Sequence, residues 1–169
     1  MRPLVFTPLW KGLGAGSEIS LITSNGTIES WLAVTHSLLE RRLRARIHTS
    51  HAAVRILAGD PTASMYANSS LVLNVSTSEA PVAVYLHPAY EGTYDLQTTE
   101  ARAEVDRDYS AEDPSEMNRQ RTVHWTATEP HDRVWGHMYW SFNGEPSPEG
   151  MNRGSISIRS TKSDVTLYC

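Results

Sequence analysis

Seven histidines, at positions 36, 48, 51, 87, 124, 131 and 137, are the first groups in this chain that could do chemistry. Imidazole titrates near neutrality and ligates metals, so a histidine beside a carboxylate is a candidate acid/base pair. His131 and Asp132 are adjacent and make that pair, while His124 and His137 flank His131 at spacings of 7 and 6. A zinc site needs three or four converging His, Cys, Asp or Glu ligands, and these spacings match no familiar metal signature. No metal and no cofactor is expected.

Other routes to catalysis are thinner. No Gly-x-Ser-x-Gly nucleophile elbow is present, so no serine is singled out from a Ser/Thr-rich chain. Gly12-Leu13-Gly14-Ala15-Gly16 lacks the Lys-Ser/Thr ending of a phosphate-cradling loop and reads as part of a flexible N-terminal lead-in. Asp106, Asp108, Glu112 and Asp113 fall in a polar, aperiodic stretch, whereas glycoside chemistry needs two rigidly spaced carboxylates. They read as solvating charges.

The densest signal is aromatic. Trp125, Trp135, Tyr139, Trp140 and Phe142 lie within 18 residues, interleaved with His124, His131, His137 and Asn143. Aromatic faces beside hydrogen-bonding groups make platforms for sugars or proteins, and Trp125, Trp135, Tyr139 and Trp140 are the ligand-binding candidates. The competing expectation is that the tryptophans cap the open end of a β-stack.

Composition bounds the partners. The net charge of −4 offers no general attraction to phosphate backbones or anionic lipid, and the one basic run, Arg41-Arg42-Leu43-Arg44-Ala45-Arg46, reads as the solvent face at the start of a strand. Nucleic acid is not expected as a partner. No apolar h-region and no span near the roughly 20 apolar residues of a membrane helix occurs, and the single cysteine, Cys169, can form no internal disulfide. A cytoplasmic location without membrane association is the expectation, and the sequons at Asn25, Asn68 and Asn74 are read as coincidental.

The elements that must position these groups are strands. Alternating apolar positions, a Ser/Thr pair, a few small or polar residues and further alternating apolar positions recur in five segments starting at 19, 45, 73, 94 and 156. Such alternation marks strands with one buried face, so each segment is a strand, a small-residue corner and a second strand. Asn25-Gly26 at the first corner is a type I′ hairpin signal. Spacings of 26, 28 and 21 between the first four starts suit solenoid coils or the hairpins of an antiparallel sheet.

The expected fold is therefore all-β: stacked strand pairs, β-solenoid-like or an antiparallel sheet/sandwich. One short helix is expected near 28–43, where Trp31, Leu32, Val34, Leu38, Leu39 and Leu43 share a broad face. Residues 1–16 form a lead-in and 17–169 one domain, with loop insertions near 106–121 and 143–153, the first of them mobile. A strand running from Ile156 to Leu167 at the edge of a sheet would be free to pair in a homodimer.

Ile19-Ser20-Leu21-Ile22-Thr23-Ser24-Asn25-Gly26-Thr27-Ile28 and the stretch from Val82 to Leu96, with its Tyr90-Glu91-Gly92, resemble a fungal domain family of unknown function, itself similar to bacterial adhesin domains of β-solenoid character. The resemblance runs from about Ser17 to Leu167 and rests on structural motifs. It implies an adhesin-like domain and carries over no functional residue. The leading expectation is a non-enzymatic recognition or scaffold domain for protein or carbohydrate. The alternative is a small enzyme with a pocket at 123–142 and His131 and Asp132 as acid and base.

Overall fold

Strict alternation decides which side of each strand is buried. In the segment around residue 45, Leu43, Ala45 and Ile47 are buried while Arg44, Arg46 and His48 are exposed; the next strand buries Val54, Ile56 and Ala58 in the same period. Two-residue periodicity of this kind specifies register, because a slip by one residue would expose every apolar side chain. The computed structural model describes residues 4–6, 17–33, 41–59, 69–145 and 153–169; the remainder of the lead-in, 34–40 of the expected helix and 146–152 of the second loop lie outside them.

Among the described residues thirteen strands result: β1 (Leu4–Phe6), β2 (Ser17–Thr23), β3 (Ile28–Ala33), β4 (Arg41–Thr49), β5 (Val54–Gly59), β6 (Ser69–Thr77), β7 (Val82–Leu86), β8 (Gly92–Gln97), β9 (Ala103–Asp106), β10 (Gln120–Ala127), β11 (Arg133–Ser141), β12 (Gly154–Ser160) and β13 (Val165–Tyr168). They form a seven-stranded sheet, β10-β11-β8-β12-β6-β4-β2, and a six-stranded sheet, β1-β3-β5-β7-β13-β9. Each quoted segment places its first strand in one sheet and its second in the other. The core between them is made of rows such as Leu21, Ile47, Val75, Ile158, Leu96 and Val134 on one side and Ile28, Val54, Val82, Val165 and Ala103 on the other. Full burial of one such aliphatic side chain contributes about 1.5–3 kcal/mol.

The corners stack. His51 N donates to Ser24 O at 3.1 Å, Glu79 N to Ser50 O at 2.9 Å, Lys162 N to Ser78 O at 2.9 Å and Glu100 N to Thr161 O at 2.9 Å. The hydroxyl at the last position of the strand closes the turn: Gly26 N donates to Thr23 Oγ1 at 3.1 Å, Ala80 N to Thr77 Oγ1 at 3.4 Å and Ser163 N to Ser160 Oγ at 3.1 Å. Side chains of this kind satisfy backbone groups that a bend leaves without a ladder partner. Asn25-Gly26 therefore turns the chain from one sheet to the other, and the expected hairpin is absent; Gly26 has no positive φ, which among the described glycines belongs to Gly92 and Gly144.

Several expectations need correction. Residues 28–33 and 41–49 are strand, and no helix occurs among the described residues, because Ile28, Ser30 and Leu32 are all buried and period two wins over the helical spacing. The sheets are not antiparallel: every neighbouring pair is parallel except β8/β11 and β11/β10. Nor does the chain advance one coil per segment as a solenoid would, since β12 and β13 lie between β6 and β8 and between β7 and β9. That same placement removes the free edge expected for a homodimer, as β13 is paired on both sides. Leu4–Phe6 of the lead-in pairs with Ile28–Ser30. No described helix is long and apolar enough to cross a membrane.

Charge and glycine both fit the out-of-sequence order. In spatial order the corner residues are Asn25, His51, Glu79, Lys162 and Glu100, so Lys162 sits between two carboxylates and reaches Glu79 at 3.0 Å. The hydrogen bond to Glu79, its charge and that of Glu100 raise the Lys162 ammonium pKa. Gly154 of β12 and Gly92 of β8 lie side by side under the Tyr90 ring, whose hydroxyl donates to Thr93 O at 2.9 Å. A Cβ on Gly154 would stand 2.8 Å from that ring and 2.9 Å from Leu71 O, and Gly92 has φ +152° as well, where only glycine is at ease. Gly154→Ala is expected to destabilise the fold by about 2 kcal/mol through overpacking. Urea denaturation checks it: an unchanged midpoint would mean that Tyr90 does not fill this space.

Candidate functional site

The two sheets end unevenly. Beyond β8 the seven-stranded sheet continues into β11 and β10, while the six-stranded sheet stops at β9. The inward side of the β10–β11 hairpin, with Arg121, Val123 and Trp125 on β10 and Val134, Gly136, Met138 and Trp140 on β11, thus has no described strand opposite it beyond the approach of β9 to β11. Segment 107–119 covers part of this overhang.

That segment, expected to be mobile, is tied down by buried charge. Asp113 accepts from Ser115 N at 3.0 Å, Ser115 Oγ at 2.7 Å, Arg119 N at 3.0 Å and Arg119 Nη2 at 2.9 Å. Arg119 Nη1 also reaches Glu91 at 3.3 Å, and Glu91 meets Arg153 at 3.3 Å. Burial alone would raise the Asp113 carboxyl, but the hydrogen bonds from Arg119 and Ser115 together outweigh it and hold the group well below the usual carboxylate range. Asp108 accepts from Ser110 N and Oγ at 2.8 and 2.6 Å. Both aspartates cap their own turns through the Asp-x-Ser spacing.

Between this segment and the hairpin lies a cleft of about 670 Å³, lined by residues that include Arg107, Tyr109, Asn118, Arg121, Trp140 and Cys169. The Arg121 guanidinium lies 5.8 Å from the centre of the Trp140 ring, with Nη2 3.7 Å from Met138 Sδ and Nε buried without a hydrogen-bond partner. Its pKa is lowered, chiefly by burial; Cys169 and Asp108 oppose the shift and Arg107 adds to it. Tyr109 is 85% exposed, beneath the Arg107 guanidinium at 4.9 Å. Burial also pushes the Cys169 thiol up, against the pull of Arg121 and Arg107, leaving it a poor nucleophile at neutral pH.

The ligand-binding candidates from the sequence separate onto two faces, because the β10–β11 register alternates. Trp125 (55% exposed) and Trp140 point inward, whereas Trp135 and Tyr139 point outward. Trp140 is buried, its Nε1 donating to Pro88 O at 2.8 Å, and Tyr139 is buried with its hydroxyl donating to Gly144 O at 3.0 Å. Trp135 lies beneath Arg133, which forms a forked ion pair with Asp95 at 2.8 and 3.1 Å. The four rings do not form one platform.

His131 and Asp132 sit in the turn joining β10 to β11, outside the cleft lining. His131 has φ 71°, its N donates to Thr128 O at 2.7 Å and its carbonyl accepts from Ala103 N at 2.9 Å. The Asp132 carboxylate accepts from the Thr128 hydroxyl, and its carbonyl accepts from Thr98 N at 2.8 Å. The Asp132 side chain and the His131 backbone hold the turn, while the His131 imidazole lies 3.9 Å from the exposed Glu129 carboxylate. His124 and His137 face each other across the hairpin with ring centres 4.9 Å apart, both against Tyr139; no group of three or more His, Cys, Asp or Glu able to hold a metal ion occurs among the described residues.

No family model, curated protein or solved structure matches this chain. Arg107, Tyr109, Asn118 and Arg121 went unremarked in the sequence because they belong to an aperiodic loop and an edge strand; the Asp-x-Ser spacings at 108 and 113 are the one local sign that the loop is built.

Two outcomes test this geometry. Arg119→Gln leaves the Asp113 and Glu91 carboxylates buried with weakened pairing, so it is expected to cost about 3 kcal/mol and to make segment 107–119 the first site of limited proteolysis; unaltered protease resistance would count against the network. Burial and the adjacent His124 hold the His137 imidazole below its ordinary value of 6.5. The unfolded chain then binds more protons just below that pH, so this contribution to stability is complete above 6.5 and is lost as pH falls toward the folded value. Denaturation midpoints between about pH 7 and about pH 5 should fall less for His137→Gln than for the parent.

Proposed function

We propose that this protein is a non-catalytic recognition domain that binds a short carbohydrate in the cleft between the β10–β11 overhang and segment 107–119. The observation that carries the reading is the composition of the cleft wall. It presents donors from Arg107, Asn118, Gln120 and Arg121, acceptors from Asp108, Glu112 and Glu116, and the exposed ring of Tyr109 in one concavity. A ligand meeting that wall must donate and accept hydrogen bonds at many points and offer an apolar face to an aromatic ring, which is the chemistry of a polyhydroxylated sugar.

Catalysis is not needed to account for these features. The acid/base pair expected at His131 and Asp132 lies in the hairpin turn, and the cleft thiol is held neutral by burial. The resemblance to adhesin-like domains agrees with a recognition role, although the reading does not depend on it. The exposed Trp135 on the outer face is the rival surface, and it separates the two possibilities experimentally.

Tyr109→Ala, at a residue exposed enough to leave folding intact, is expected to weaken saccharide binding about tenfold, the effect of losing one aromatic contact of about 1.4 kcal/mol. Trp135→Ala is expected to leave it unchanged. Glycan-array binding followed by titration calorimetry of any hit checks both; loss of affinity on Trp135→Ala with none on Tyr109→Ala would move the site to the outer face.

A further inference from the structure

Resting on that reading, the buried wall of the cleft says more about the ligand than that it is a sugar. Two guanidinium groups line the cleft, Arg121 on the inner face of β10 and Arg107 just after β9 at the start of segment 107–119. Neither forms an ion pair with a carboxylate among the described residues, although the lining also contains acidic side chains. Asp113 is held by Arg119 and Ser115; Asp108, which accepts two hydrogen bonds from Ser110, attracts Arg121 without forming an ion pair, and Glu112 and Glu116 lie exposed on the loop.

Arg121 is the sharper of the two. Its Nε is shielded from solvent and unpaired, although a guanidinium carries five donors and a buried one ordinarily has them met. The Trp140 ring beneath it and Met138 Sδ beside it fix the plane of the fork without supplying an oxygen. Burial, the largest effect, and the like charge of Arg107 weigh against this cation, while Cys169 and Asp108 partly offset them. With Nε closed off from solvent, the terminal Nη end of this oriented guanidinium is what Arg121 can present to the cleft beside a second cation, and a planar oxyanion matches that end in geometry and charge.

We infer that the saccharide held in the cleft carries a carboxylate, as a uronic acid does, received by Arg121 as a forked pair with Arg107 as the second cation. The remaining lining serves its hydroxyls. The ligand class is thereby narrowed from carbohydrates in general to acidic ones.

The experiment is calorimetric titration of the full chain with short D-galacturonate oligomers and with neutral D-galactose oligomers of the same length, repeated on Arg121→Gln, Arg121→Lys and Arg107→Gln. The expected result is binding of the acidic series alone. Arg121→Gln should weaken it by roughly 10- to 100-fold, the range for losing a charge-assisted hydrogen bond to a carboxylate. Arg121→Lys should recover only part of the loss, since an ammonium supplies charge without the fork. Should Arg121→Gln unfold, Arg107→Gln, at a residue outside the strands, is expected to lower affinity severalfold in a folded protein.

Equal binding of acidic and neutral oligomers, indifferent to these substitutions, would overturn the inference and leave the carbohydrate reading standing. Binding of simple carboxylates such as benzoate, with no gain from the sugar hydroxyls, would overturn the carbohydrate reading and leave the anion site. Absence of binding by every probe would overturn both.

Discussion

Everything in this fold depends on the seat of one strand pair, β12–β13, between segments that are contiguous in sequence on either side of it. β6 and β7 pair with it on one flank and β8 and β9 on the other, all parallel. The fit is steric before it is electrostatic. Gly154 and Gly92 bring two backbones close enough for the Tyr90 ring to lie over them, and Lys162 falls between Glu79 and Glu100 at the corner. Exposed ion pairs of that kind contribute little energy, yet they disfavour any order that would bring the two glutamates together.

From that placement follows the shape of the cleft. With β12–β13 in position, β8 becomes the last parallel strand of the seven-stranded sheet, which continues outward as an antiparallel hairpin for which the opposite sheet has no described counterpart. An uncovered inner face rich in Val123, Met138 and Trp140 has to be shielded from water, and segment 107–119 does this incompletely. The charged network of Asp113, Arg119, Glu91 and Arg153 anchors the segment at one end; at the other, Arg107 and Arg121 remain facing the space left over.

The local elements were legible and their arrangement was not. All five strand-corner-strand segments could be read from period-two alternation, which is a property of a few consecutive residues. Their spatial order could not, because Leu73-Asn74-Val75 and Ile156-Ser157-Ile158 present the same pattern to a neighbour and parallel pairing leaves no short-range signature such as a tight turn. The helix expected near 28–43 arose from a chance coincidence of spacings across a strand, Ile28–Ala33, and the start of another at Arg41. The aromatic cluster was visible as composition, but only the register of β10 against β11 separates Trp125 and Trp140 from Trp135 and Tyr139. The cleft arginines were least legible of all, since their role comes from an overhang that no local pattern encodes.

The out-of-sequence stack also orders events in time. Until residues 154–168 have been made, β6, β7, β8 and β9 each present an unpaired parallel edge to solvent, the situation in which strands recruit wrong partners. The entropic cost of closing the long connection between β9 and β12 grows only slowly with its length, so the delay itself is thermodynamically mild. Its burden is kinetic: three finished strand pairs and a fourth must wait, separated, for the segment that joins them, and the binding cleft exists only after that last piece is threaded into the middle.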